Sequence, residues 1–271
     1  MSVIASLVLY KHSWKDVEKT IKCLISEDSI SRVVILDNGS HCGWLSELSN
    51  EKIEVFSCEI NAGFGAGHNL TIERYKEHFK YFLICNPDIF FEHGEFDKLY
   101  DFSIRHLVDL ATPKIVYPDG RIQHSCKLLP SPLQLFMRRF FPTLSFHFNK
   151  KYELADADYT KSFYAPSISG CFMLLSNRSL KGTGGFDSRY FMYLEDVDLS
   201  RRITSAGFSI RYCPDSTVIH ESQRRSYKDL KFLVYHLKSA CKYFNKWGWI
   251  YDPDRNSQNL KCLSDLPRTK D

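Results

Sequence analysis

Four short, largely apolar runs, each stopped by a polar cluster, limit what this chain can fold into. They are Val3–Tyr10, Arg32–Leu36, Ile53–Ser57 and Tyr81–Cys85. Apolar runs without alternation read as strands covered on both faces, the habit of parallel sheets. Between the first two, Val17, Ile21, Leu24 and Ile25 fall on one helical stripe, with Ser13 or Asp16 as its cap. A second helix opens within Asn61–Asn69 and runs towards Phe79. Strand, helix, strand, strand, helix, strand predicts an α/β fold: a Rossmann-like, mostly parallel open sheet flanked by helices. Ligands of such sheets bind beyond the carboxyl ends of the strands. Asp37, the Asn61–Asn69 stretch and Asn86-Pro-Asp88 all fall there.

At 271 residues the chain can bury a full core. Its charged fraction of 25% is that of an ordinary globular protein, and a net charge of +4 is too mild to argue for nucleic acid. Nine scattered cysteines, never spaced Cys-x-x-Cys, fit free thiols in a reducing cytosol better than a disulfide framework or a zinc site. The apolar start lacks a basic leader and reads as a strand, and no run reaches the roughly 20 apolar residues of a spanning helix.

The rest of the chain is less regular. Leu110–Tyr117 and Arg121–His124 predict a hairpin around Pro118-Asp-Gly120. Ser131–Tyr152 mixes Phe136, Phe140, Phe141, Phe146 and Phe148 with Arg138, Arg139, Lys150 and Lys151. That mixture suits a lid or a lipid interface, and equally an ordinary packed excursion with solvated basic groups. Ser169–Ser176 predicts a strand, as do Ser209–Tyr212 and Thr217–His220, and Tyr227–Trp247 predicts a helix. Beyond Trp249 the tail reads as polar and loose. Residues 1–225 are expected to form one domain, with 226–271 a C-terminal extension packed on it.

The chemistry is expected in Phe191-Met-Tyr-Leu-Glu-Asp-Val-Asp-Leu199, where Glu195, Asp196 and Asp198 open a helix running from Leu199 to Ala206. Acids in a first turn suit the helix dipole, and Asp198 is placed to pair with Arg202, so the cluster has a structural reading too. Asp37-Asn-Gly-Ser40 is either a turn or a carboxylate that faces a nucleotide base. Gly63, Gly65 and Gly67 lack dinucleotide spacing; they let backbone approach a nucleotide or merely start a helix. Asp88 is a turn residue or a carboxylate that bridges a divalent cation to a diphosphate. His220 ends a buried strand, with Glu221 and the Arg224-Arg225 pair, fit for phosphate oxygens, just after it.

Taken together, these residues resemble glycosyltransferase family 2, with the GT-A fold, and within it the bacterial O-antigen and cell-wall rhamnosyltransferases. The resemblance covers residues 3–245 and rests on Asn86-Pro-Asp88, Ser169-Gly-Cys-Phe-Met-Leu174, Gly184-Gly-Phe-Asp187, Tyr190–Leu199 and Val218-Ile-His220. It implies an inverting transfer of a sugar, L-rhamnose from dTDP-L-rhamnose, to a polyprenyl-diphosphate-linked saccharide in O-antigen or lipopolysaccharide synthesis. It implies Asp196 as the general base and Glu195 as a holder of the acceptor. Asp37, Asn38, Asn61, Gly63, Asn69, Asn86, Asp88 and Arg225 would bind the sugar nucleotide. Asp88 and His220 would hold Mg2+ or Mn2+. Many relatives carry Asp-x-Asp where this chain has Asn86-Pro-Asp88, which bears on how firmly a metal is held. The implied location is cytoplasmic, at the inner face of the bacterial plasma membrane. Three readings compete: another donor (UDP-GlcNAc, UDP-Gal or UDP-Glc), a non-catalytic nucleotide-sugar or glycan-binding module, and a sugar-1-phosphate nucleotidyltransferase. The last lacks its glycine-rich loop, since Leu9-Tyr-Lys-His-Ser13 has no glycine.

Overall fold

The computed structural model describes residues 3–141, 146–222 and 230–268, without the side chains of 146–148. The first half runs β1 (Val3–Leu9), α1 (Trp14–Ser26), β2 (Ile30–Asn38), β3 (Ile53–Cys58), α2 (Phe64–Tyr75), β4 (Tyr81–Cys85), β5 (Ile89–Phe90), α3 (Glu95–Arg105) and β6 (Leu110–Val116). The second runs β7 (Cys126–Lys127), α4 (Pro132–Phe140), α5 (Phe146–Tyr152), β8 (Ser167–Ile168), β9 (Phe172–Ser176), α6 (Asn177–Thr183), α7 (Glu195–Ser205), β10 (Ile210–His220), α8 (Leu230–Trp247) and α9 (Pro253–Asp265).

The main sheet has the order β3-β2-β1-β4-β9-β6-β10-β5. β1, β2, β3 and β4 pair in parallel, as the four apolar runs predict. β9 enters antiparallel between β4 and β6, with Phe172 opposite Cys85. The start of β9 therefore lies at the carboxyl end of β4. One face of the sheet packs on α1 and α3 through Val17, Ile21, Leu24, Phe96 and Leu99; the other packs on α2 and α7 through Ile72, Leu199 and Ile203. Ser13 opens α1 as expected, with its backbone N–H donating to Asp16 Oδ2 at 2.8 Å.

Several boundaries differ from expectation. The two strands predicted over 209–220 are one strand, β10, whose pairing with β6 shifts register between Cys213 and Thr217. The Pro118-Asp-Gly120 turn exists, but its second arm is reduced to an isolated Val116–Ile122 bridge. The strand predicted from Ser169 begins only at Phe172. The helix after the acidic stretch starts at Glu195, not Leu199.

The largest correction is the tail. It is not loose: α9 is capped by Asp252, whose side chain accepts from Arg255 N–H, and it buries Arg255, Gln258 and Cys262. The ion pair between Arg201 of α7 and Asp252 leaves each side chain only 1% exposed. Arg201 also reaches Asp254 at 2.8 Å and lies 4.1 Å from the ring centroid of Trp247. A cation this deep survives only when its partners surround it.

Candidate active site

Two clusters form at the carboxyl end of the sheet. The first is built around Asn86-Pro-Asp88. Asn86 N–H donates to Cys171 O at 2.8 Å, and Asp88 O accepts from Glu221 N–H at 3.0 Å. Thr20 Oγ1 donates to Pro87 O at 2.6 Å, so the turn is held from three sides. Asp88 Oδ1 lies 3.1 Å from His220 Nε2, yet this buried oxygen has no well-aligned hydrogen bond. Gln123 Oε1 faces His220 Nδ1 at 3.0 Å. An amide oxygen only accepts, so Nδ1 carries the proton and Nε2 is directed at Asp88.

Burial opposes charge on His220, but the neighbouring Cys171 sulfur and the Asp88 carboxylate overcome it and raise it to about 10. Burial likewise raises Asp88, and the pull of His220 outweighs it, leaving the carboxyl below its ordinary range. Among the described residues no three His, Cys, Asp or Glu side chains gather into a metal cage. A two-residue grip nonetheless fits a hard cation that takes its other oxygens from a diphosphate and water. The buried Asp88 oxygen, facing His220 Nε2 without an aligned hydrogen bond, is the observation that favours it.

The second cluster is the acidic stretch. Tyr193 and Leu194 both adopt positive φ, +72° and +63°, just before α7. Two successive non-glycine residues in this region store strain of about 1–3 kcal/mol each. Packing holds them there: Leu194 is buried with Leu135, Val197, Tyr243 and Phe244, and Ser239 Oγ donates to Met192 O at 2.8 Å. Asp196 then turns towards the sheet, where Oδ2 accepts from Gly170 N–H at 2.9 Å and Oδ1 from Val197 N–H at 2.8 Å. Glu195 is buried, with Oε2 unpartnered. Burial and then the adjacent Asp196 charge push its carboxyl well above the ordinary range.

Asp198 is structural. Arg202 Nε donates to it at 2.8 Å, as the helical spacing predicts, and Lys246 and Trp247 of α8 complete its shell.

The segment before β9 joins the two clusters. Gly170 donates to Asp196 and Cys171 accepts from Asn86, so consecutive residues touch both. A cavity of about 310 Å³ opens before Glu195 and Asp196; Lys127, Arg138, Arg139, Tyr152, Tyr193 and His236 are also on its wall. Asp88 is not on that wall.

The residues expected to shape a nucleotide pocket are engaged with the protein itself. Asp37, at the end of β2, accepts from His41 N–H at 3.0 Å and Cys42 N–H at 2.8 Å, which is the turn reading. Asn38 Nδ2 donates to Asn61 Oδ1 and Gly63 O, and Asn38 Oδ1 accepts from Ala62 N–H. Asn69 clamps Phe186 through both its carbonyl and its N–H, each at 2.8 Å. The glycine string is also needed for the protein's own packing. A Cβ on Gly63 would fall 2.2 Å from Phe191 O, on Gly65 2.8 Å from Phe186 Cβ, and on Gly67 2.8 Å from Val8 Cγ1. These glycines let α2 lie against the sheet and the acidic stretch. Arg225 lies outside the described residues.

Lys127, Gln123 and His236 were not singled out in the sequence. Lys127 is half of a two-residue strand with no periodic signal and Gln123 lies shortly before it, and His236 is one histidine on a long mixed helix.

Residues 119–236 match the family described as glycosyltransferase like family 2. The chain is 28% identical over 251 residues to N-acetylglucosaminyl-diphospho-decaprenol L-rhamnosyltransferase of Mycobacterium tuberculosis, covering 86% of this chain and 78% of that one. It is 24% identical over 247 residues to rhamnosyltransferase WbbL of Escherichia coli K12, covering 88% and 91%. The fold is similar to that of GalNAc-T7, solved with UDP, GalNAc and Mn2+, with a TM-score of 0.66 and 13% identity. That likeness covers 91% of this chain, which spans about half, 48%, of GalNAc-T7.

Proposed function

We propose that this chain, with its GT-A-like fold and its likeness to family-2 glycosyltransferases, is a glycosyltransferase of that family and an inverting one. It transfers L-rhamnose from dTDP-L-rhamnose to a saccharide carried on a polyprenyl diphosphate, in surface-polysaccharide synthesis. The observation that carries this reading is the Gly170–Cys171 step, which ties the Asp88–His220 pair to Asp196. Residues 1–225 form the transferase unit in this reading, and 226–271 brace it.

Asp88 and His220 would hold a divalent cation, Mg2+ or Mn2+. Bound there, it would neutralise the charge that develops on the leaving diphosphate. The chain's own residues do the rest. Gly170 and Val197 N–H groups fix the Asp196 carboxylate while each oxygen keeps a free lone pair. Asp196 takes the proton of the acceptor hydroxyl as that oxygen bonds to the anomeric carbon. The bond from that carbon to the phosphate oxygen breaks, and its electron pair leaves with the dTDP. Glu195 helps hold the acceptor beside it. Asp37, Asn38, Asn61 and Gly63, at the ends of β2 and β3, frame the base and ribose through the loop they rigidify. Asn69 supports that frame from behind, and Asn86 flanks the phosphates beside Asp88. Arg225 is assigned to the phosphates by the family resemblance alone.

The enzyme would work at the inner face of the plasma membrane as a peripheral protein. Among the described residues no helix is long and apolar enough to cross a membrane. Attachment would use the exposed Leu133, Phe136 and Phe140 of α4. The test is dTDP release from dTDP-L-rhamnose, with and without an N-acetylglucosaminyl-diphospho-lipid acceptor. Asp196→Asn should lose about 10²–10⁴ of the acceptor-dependent rate while keeping donor affinity. Near-normal turnover would remove Asp196 from the role, and no release with any sugar nucleotide would end the transferase reading.

A further inference from the structure

The cavity before Asp196 has an aromatic wall that taking a proton does not call for. Tyr193 lines it beside the carboxyl groups of Glu195 and Asp196 and the hydroxyl groups of Ser167 and Ser169. Ser167 is only 3% exposed, and its hydroxyl has no hydrogen bond among the described residues. A pyranose presents two chemistries at once: a rim of hydroxyls that donate and accept, and faces made of C–H bonds. Carboxyl and hydroxyl oxygens answer the rim, and an aromatic ring answers a C–H face. At about 310 Å³ the cavity is at the small end of ligand sites, which suits one sugar ring more than a chain.

Tyr193 is also where the backbone is strained. It has φ +72°, and Leu194 after it has φ +63°. Glycine and asparagine enter this region cheaply; tyrosine does not. Helix α8 holds it there. The half-buried Tyr193 ring lies 5.4 Å from the His236 ring, centroid to centroid, and Ser239, one turn along, donates to Met192 O at 2.8 Å. Strain of this kind collects at binding sites, where the fold enforces a costly conformation to aim a side chain. A glycine would make the same turn with less strain, so the tyrosine is there for its ring. We propose that the Tyr193 ring is the platform for a C–H face of the acceptor pyranose, and that it decides which hydroxyl reaches Asp196. This rests on the transferase reading of the same cavity, and adds to it a residue that determines specificity. Pyranoses with an axial hydroxyl on the stacked face are disfavoured.

Binding is read apart from turnover, by saturation-transfer NMR on the full chain. The probes are methyl β-D-glucopyranoside, whose two faces carry only C–H bonds, and glucitol, an open-chain polyol with no ring face. Irradiating aromatic protons should reach the ring protons of the glucoside and leave glucitol untouched. The glucoside signal should fall about tenfold in Tyr193→Gly and persist in Tyr193→Phe. Glycine accepts positive φ, so the melting temperature should not fall. Tyr193→Asn, which also tolerates this region, carries the same test should the glycine variant prove unstable. In turnover with the lipid-linked acceptor, the acceptor KM should rise about tenfold in Tyr193→Gly and stay near wild type in Tyr193→Phe. Affinity for dTDP with Mn2+ should be the same in both. Glucoside binding that survives loss of the ring would overturn the proposal, as would equal binding of glucitol. Displacement of the glucoside by dTDP would also overturn it, by giving the ring to the donor. Ring-dependent glucoside binding without transfer from any sugar nucleotide would leave the platform standing and sink the functional reading instead.

Discussion

Replacing Gly63 by alanine tests how α2 is seated against the acidic stretch. Gly63 has φ +93° and ψ 179°, a backbone region essentially closed to residues with a Cβ, at a cost of about 1–3 kcal/mol. The added methyl would meet Phe191 O at 2.2 Å, far inside contact distance. Relief by retreat is blocked, because that same oxygen accepts the Phe64 N–H at 2.9 Å and the bond would be stretched or lost, at about 0.5–1.5 kcal/mol. Overpacking adds about 1–3 kcal/mol. The total is about 3–6 kcal/mol, a large part of the roughly 5–15 kcal/mol that holds a domain folded. Urea unfolding followed by tryptophan fluorescence and circular dichroism measures it. Gly94→Ala is the control: φ is +89°, but nothing lies within 4 Å of its Cβ, so it should cost only about 1 kcal/mol. If Gly63→Ala were as mild as Gly94→Ala, the contact with Phe191 would not be the rigid one described. If it were mild and donor binding alone failed, the space over Gly63 would belong to the nucleotide.

Other expectations follow from the same geometry. Glu195→Gln should raise stability by about 1–3 kcal/mol at pH 7–8 and by little near pH 4.5. Burial and the Asp196 charge raise the folded carboxyl above its ordinary value of 4.5. The unfolded chain therefore sheds this proton first as pH rises, and stability falls from about pH 4.5 upwards in the wild type. Denaturation midpoints across pH 4–8 that run parallel in the two proteins would refute the burial. Arg201→Leu should cost about 3–5 kcal/mol by taking the buried Asp252 carboxylate's bidentate partner, leaving it only Arg255, and a loss under 1 kcal/mol in urea would show the pair to be dispensable. Asp88→Asn should abolish Mn2+-dependent tightening of dTDP in calorimetry while leaving the fold intact; retained tightening would move the cation elsewhere.

Most of the early sheet was legible because β1, β2 and β4 are covered on both faces and so carry apolar runs, as Val33–Leu36 and Tyr81–Cys85 show. The acidic cluster was legible too, though the sequence could not sort its members: Asp198 spends its carboxylate on Arg202, Lys246 and Trp247, while Asp196 faces the cavity. Pairing across 51 residues, as between Arg201 and Asp252, leaves no local trace, so a polar tail passed for a loose one. The packing role of the glycines after Asn61 was hidden for a related reason. Their neighbours, Phe191, Phe186 and Val8, come from distant stretches, and only assembly shows whose atoms need the room. β10 was split in two because Cys213-Pro-Asp-Ser-Thr217 reads as a break, and the strand absorbs it as a shift in register.

The last helix has a practical side. Asp252 and Asp254 neutralise Arg201 within the helix that begins with Glu195 and Asp196. Shortening the gene product after Trp249 to obtain a tidier protein would strip the counter-charges from beneath the helix that carries Glu195 and Asp196. A truncated protein found inactive would then say nothing about which chemistry had been removed, only that its footing had gone.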